Sequence, residues 1–344
     1  MSNKLYRARR LRGAAVGCLA LGLLLLGAIP ARAEMQQIRL SYGFGLNFLP
    51  LYVIEHDQLL EKEARAAGLG EVAASWRVLD GGNVINDAML AGAVDIAAIG
   101  ETGFLTLWAK AKGTRNETIG VSGIGGGPIY LNTRNLAVKT LADFTERDRI
   151  ALPGIKTSHN AILLQMAAAS AFGDANYAKL DPLTVGMPYP EAMAALLSGK
   201  TEIDSHFAST PFCLLELDHP EIHKVYDSTE LTGRVTAIMS FATRQFQEAN
   251  PKLVAAFVQA VDDAADSIRR DPARAARIYA EMAKVKIAES EVLRVIADPE
   301  TVYTATPLGT MRFADFMQRV GLIKPKPARW QDLFGPAVQD RDGS

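Results

Sequence analysis

The chain has 344 residues, 49% of them apolar, with 37 Lys+Arg against 38 Asp+Glu and two cysteines. With the basic leader described next set aside, 31 basic and 38 acidic side chains remain, a net charge of −7. That balance excludes nonspecific nucleic-acid binding through a positive field, and the one remaining cysteine, Cys213, excludes an intramolecular disulfide.

The leader has the layout of a secretory signal. Lys4, Arg7, Arg9, Arg10 and Arg12 precede an apolar run over residues 13–29, and Ala31-Arg32-Ala33 has the small-x-small pattern of a cleavage site. The run is shorter than the roughly 20 residues a membrane span needs. Cys18 loosely fits a lipidation site, but the apolar stretch continues past it. The expectation is export to the periplasm with cleavage between Ala33 and Glu34. The residues that remain are too many for one simple core and suit two lobes.

From there short apolar strands alternate with helical stretches, the mark of an α/β protein. Residues 38–42 read as a strand, followed by the loop Gly43-Phe44-Gly45-Leu46-Asn47 and a helix over 49–67. A strand at 76–79 leads through Gly81-Gly82-Asn83 to a helix over 84–91, stopped by Gly92. A strand at 94–99 ends in Gly100-Glu101-Thr102 before another helix. Further on, 149–152 reads as a strand and 158–172 as a helix closed by Gly173. Asn250-Pro251 and Asp271-Pro272 each mark a helix start, and Gly321 ends a helix begun near Thr310. One segment is echoed: AMLAGAVDI at 88–96 returns as ALLSGKTEI at 195–203, a helix ending at glycine and feeding a strand with an acidic residue. This supports two lobes of similar construction.

Five segments carry a resemblance, in the right order and spacing: LPLYV (49–53), AGAVDIAAIGETGFL (91–105), KTLADF (139–144), RIALPGIKTSHNAILLQ (149–165) and EAMAALLSGKTEID (191–204). With them the chain resembles the nitrate/sulfonate/taurine group of ABC-transporter periplasmic substrate-binding proteins over most of residues 38–334. The resemblance implies a type II periplasmic-binding-protein fold, two α/β lobes joined by a two-stranded hinge. The first lobe would comprise 34–128 and 236–344, the second 129–235, with crossings near Gly127-Pro128-Ile129 and Gly233-Arg234-Val235. It implies a non-enzymatic, monomeric receptor without cofactor or metal. The receptor would deliver a small solute to an ABC permease and its cytoplasmic ATPase.

In open α/β sheets, ligands sit beyond the carboxyl ends of strands, where helix N-termini offer a partial positive charge. Four loops meet that description. Phe44, Gly45 and Asn47 lie in the first, Asn83 in the second, Glu101 and Thr102 in the third, and Thr157, Ser158, His159 and Asn160 in the fourth. The same residue types also serve ordinary turns and caps. His206, Ser209 and Thr210 follow the echoed segment, with Tyr189 nearby, and His206 equally suits a satisfied core position. These loops point to an anionic ligand such as a sulfonate, carboxylate or nitrate-like ion. Glu101 argues for an amine, so a zwitterion stays open. Catalytic patterns are weak: Cys213 lies seven residues after His206, and His219 and His223 have metal-pair spacing without a third ligand. Gly125-Gly126-Gly127-Pro128 reads as flexible hinge backbone. The alternatives are an exported enzyme on the same fold or a ligand sensor. Thiamine-pyrimidine synthases are the nearest such enzymes, but their cysteine-rich run is absent.

Overall fold

The computed structural model describes residues 34–79, 82–156, 158–283 and 287–344, with backbone alone at Asn83. The expected export signal and Thr157 lie outside the described residues. Alternation decides the first strand: in β1 (Gln37–Tyr42), Ile38, Leu40 and Tyr42 turn inward and are buried. The strands that follow are β2 (Ala73–Val78), β3 (Ile96–Gly100), β4 (Thr118–Gly126), β5 (Ile129–Thr133) and β6 (Ile150–Leu152). After them come β7 (Thr184–Gly186), β8 (Ser205–Ser209), β9 (His223–Asp227), β10 (Ile238–Thr243) and β11 (Val302–Tyr303). They form a six-stranded sheet in the order β11-β4-β10-β3-β1-β2 and a five-stranded sheet in the order β7-β6-β8-β5-β9.

The two sheets repeat one plan. In the first, β2, β1 and β3 run parallel, and β10 and then β4 are added antiparallel. In the second, β7, β6 and β8 run parallel, and β5 and then β9 are added antiparallel. The sequence echo falls on matching places: Gly92 (φ 67°) ends the helix Gly82–Leu90 before β3, and Gly199 (φ 58°) ends the helix Tyr189–Ser198 before β8. The acidic residues match with an offset. Asp95 holds Arg39, accepting from its main-chain N at 2.9 Å and its guanidinium at 2.6 Å. On the other side Asp204, two positions beyond the aligned Glu202, accepts from Arg149 N at 3.1 Å.

The chain leaves the six-stranded side between β4 and β5 and returns between β9 and β10. Both passages lie side by side. A methyl group on Gly126 would stand 1.9 Å from Val235 O, and one on Gly125 2.6 Å from Asn47 O. The glycine run therefore has a reason other than the flexibility expected for it: neighbouring backbone comes too close for any side chain.

The helix expected over 49–67 is two helices, Leu49–Asp57 and Leu59–Ala66, separated by Gln58 in the left-handed region (φ 53°). The turn keeps Leu60 and Ala64 buried while Asp57 grips Arg274 in a two-bond pair at 2.6 and 2.8 Å. The helices Pro251–Arg270 and Pro272–Met282 start where their Asn-Pro and Asp-Pro pairs place them, the second capped by Asp271 accepting from Arg274 N at 2.9 Å. The sides meet along the helix Thr310–Arg319, where Phe313 lies 4.9 Å from the His159 ring, Phe316 6.3 Å from Tyr177, and Arg319 pairs with Asp174 at 2.8 Å. No helix among the described residues is long and apolar enough to cross a membrane.

Candidate ligand-binding cleft

Parallel strands aim their carboxyl ends, and the loops that follow them, at the gap between the sheets. Gly43, Phe44 and Asn47 follow β1, Leu79 follows β2, Gly100 ends β3, Pro153 follows β6 and Ser209 ends β8. Together with Ser158, His159, Asn160 and Tyr189 they surround a cavity of about 70 Å³. At 10–15 Å³ per water, that is room for roughly five waters or one small organic molecule. Phe48, Ile85, Ile99, Ile129 and Ile238 make the rest of the wall largely apolar. A wider groove of about 890 Å³ lies elsewhere, around Ile268, Leu293 and Tyr303. Apart from Arg234 in the returning passage, its wall comes from the six-stranded side, and no loop after β6, β7 or β8 reaches it, so the smaller cavity is the one walled by strand-end loops of both sheets.

Local chemistry fixes the polar wall. Ser158 caps the helix His159–Phe172, its Oγ accepting from Ala161 N at 3.1 Å, so this helix begins at the cavity. Tyr189 Oη donates to Asn160 Oδ1 at 3.0 Å, and Asn160 Nδ2 donates to Phe207 O at 2.6 Å. The Tyr189 ring stacks on Phe212 at 5.2 Å. Burial holds the His159 imidazole down at about 3, so it is neutral. No lysine, arginine or carboxylate is among the described residues lining the cavity.

Of the expected site residues, Phe44, Asn47, Ser158, His159, Asn160, Tyr189 and Ser209 converge on this cavity. Gly45, Glu101, Thr102, His206 and Thr210 do not line it. Glu101 opens the helix Glu101–Ala111 and is fully buried, its carboxyl turned toward Thr310. Burial pushes that carboxyl up to about 8. The Thr310 hydroxyl offsets a little of this, although no hydrogen bond of ordinary geometry reaches either carboxyl oxygen. His206 sits at 0% exposure with Nδ1 against Glu216 Oε1, and Asn132 Nδ2 donates to Glu216 Oε2 at 2.9 Å. That is a core position, as weighed for it above, with Nδ1 paired and Nε2 buried without a hydrogen-bond partner in the protein. Burial pushes the Cys213 thiol up. His223 Nε2 meets Val138 O at 2.7 Å, and no group of three metal-ligating side chains occurs among the described residues. The side chain of Asn83 lies outside the described residues.

Sequence reasoning missed the apolar wall. Ile85, Ile99 and Ile238 look like any core residue in a hydrophobic pattern, and only tertiary packing brings them to the cavity.

Solved structures share this architecture. The alkanesulfonate-binding protein SsuA from Xanthomonas axonopodis pv. citri, bound to MOPS, aligns with TM-score 0.69 and 21% identity over 89% of this chain and 99% of its own. The periplasmic aliphatic sulphonate-binding protein SsuA from Escherichia coli aligns with TM-score 0.66 and 19% identity over 90% and 95%. The periplasmic nitrate-binding protein NrtA from Synechocystis PCC 6803 aligns with TM-score 0.66 and 14% identity over 87% and 85%. No protein-family model and no curated protein matches the chain. The fold is that of periplasmic binding proteins, with two α/β lobes facing each other across a cleft.

Proposed function

We propose that the chain is the exported receptor of an ABC importer, closing its lobes on a small organic oxyanion such as a sulfonate or carboxylate. One observation carries the reading: a small cavity is walled by strand-end loops of both sheets, so a ligand there is held only when the lobes meet. The lobes are 34–128 with 236–344, and 129–235, turning about the paired passages as a hinge. The likeness to sulfonate- and nitrate-binding proteins supports delivery to a permease and its ATPase, in the periplasm and after cleavage at Ala33.

The cavity chemistry supports the ligand class. The helix N-terminus at Ser158 to Asn160 favours negative charge, and the hydroxyls of Ser158 and Ser209 stand beside it. Phe44 and Phe48 give an apolar body its surface. Glu101, the residue that argued for an amine, turns toward Thr310 instead.

Mass spectrometry of solute released from purified protein is the test, followed by calorimetry on stripped protein against matched anions, amines and sugars. The expected result is saturable binding of an organic anion, weakened about tenfold or more by Tyr189→Ala. Binding restricted to amines or sugars, or turnover of the captured molecule, overturns the reading.

A further inference from the structure

Gly127, in the first passage between the sheets, faces a cage of oxygen. A β-carbon built there would have Asn47 Oδ1 at 3.2 Å, Thr301 Oγ1 at 3.2 Å and Thr210 Oγ1 at 3.7 Å as its three nearest heavy atoms, chain neighbours aside. Each of these oxygens is shut away from solvent and has no hydrogen-bond partner in the protein. Asn47 as a whole is 4% exposed and Thr210 1%. Buried polar atoms are almost always paired, so three unpaired ones gathered in front of Gly127 call for a partner that the protein itself does not supply.

The three come from different parts of the molecule. Asn47 stands in the turn after β1 and Thr301 just before β11, both on the six-stranded side. Thr210 follows β8 on the five-stranded side, and its carbonyl accepts from Leu46 N at 3.0 Å. Donor chemistry selects the guest. An amide oxygen only accepts, whereas each hydroxyl accepts and also carries a proton to give away. A cation would leave both hydroxyl protons unplaced, with no carboxylate in the cage to balance its charge. A water donates to Asn47 Oδ1 and accepts from a threonine hydroxyl. We infer that one water is bound in an occluded site beside Gly127, which shares Asn47 with the wall of the solute cavity, and that the site is complete only when Thr210 is brought against Asn47 and Thr301. The water then bridges the closed lobes; this consequence for solute binding rests on the receptor reading above, while the site itself does not.

Two measurements test it. A high-resolution crystal structure of the full chain is expected to hold an ordered solvent oxygen about 2.7–3.1 Å from the three side-chain oxygens. No ordered atom there, or threonine hydroxyls bonded elsewhere in the protein, overturns the site. A guest nearer than hydrogen-bond distance, lost when sodium and potassium are replaced by choline, overturns its assignment as water. Thr301→Val and Thr210→Val keep the side-chain shape without the hydroxyl. Each is expected to speed solute release about 3- to 10-fold, with the double variant well short of the product. Unchanged release in both variants overturns the bridging role. If the protein binds no solute at all, the receptor reading fails while the crystal structure still decides the site.

Discussion

Two buried side chains beside the seam between the lobes prefer opposite ends of the pH scale. Glu101 is raised to about 8 by burial and His159 is lowered to about 3 by the same cause. The folded chain holds the Glu101 proton where an unfolded glutamate has lost it. Stability from this residue is therefore full below about pH 4.5 and is lost as pH rises toward 8, by about 3 kcal/mol between pH 4.5 and 7. For His159 the sign reverses: stability is full above about pH 6.5 and is lost as pH falls toward 3. Glu101→Gln keeps the shape and removes the titration. Urea midpoints at pH 6.5, 7.25 and 8, above the range in which His159 titrates, are expected to fall in the wild type and to stay nearly level in the variant. Parallel loss in both would show that another group governs the alkaline side. Direction of burial is what the sequence hid at this residue, because Gly100-Glu101-Thr102 marks a helix start equally well whichever way the carboxyl turns.

Elements were legible where their causes are local. Ser158, Asn250-Pro251 and Asp271-Pro272 set helix starts, and Gly92, Gly173 and Gly199 set helix ends, through chemistry contained in a few neighbouring residues. The break at Gln58 was not legible, since glutamine has no preference for the left-handed region it occupies. Nor was the two-residue offset between Glu202 and Asp204, which follows from strand register rather than from sequence alignment. The site divides the same way. Among the residues lining the candidate cavity, those at helix starts, such as Ser158 and Asn160, were legible as candidates, while Ile99 and Ile238 were lost among core positions. Glycines in β4 belong to the second kind, their reason being backbone from distant segments. Gly126→Ala puts a methyl group into Val235 O and is expected to cost about 2 kcal/mol or more of stability, because backbone has to move. At a few degrees per kcal/mol in a chain of this size, thermal unfolding should register it clearly. An unchanged midpoint would mean that the paired passages are not packed as described.

On the scale of the whole molecule, the repeated sheet plan explains why one cavity serves both halves. Each sheet presents three parallel strand ends to the gap, and the helix Thr310–Arg319 closes the seam beside it. The wall so formed contains no lysine, arginine or carboxylate among its described residues, and its one imidazole is neutral. Dissolved salt acts on a binding equilibrium chiefly by screening exposed charges, over a Debye length of about 10 Å at 0.1 M and about 3 Å at 1 M. A grip made of oriented dipoles and hydroxyls in an enclosed space lies largely beyond that influence. Capture should therefore be almost indifferent to ionic strength, with a Kd that moves less than about threefold between 0.02 and 0.5 M sodium chloride. A steep decline measured over that interval would require a charged group in the grip. On the receptor reading proposed above, an indifferent Kd means a protein that stays loaded through swings in the salinity of its surroundings, holding its solute by shape and dipoles rather than by counter-charge.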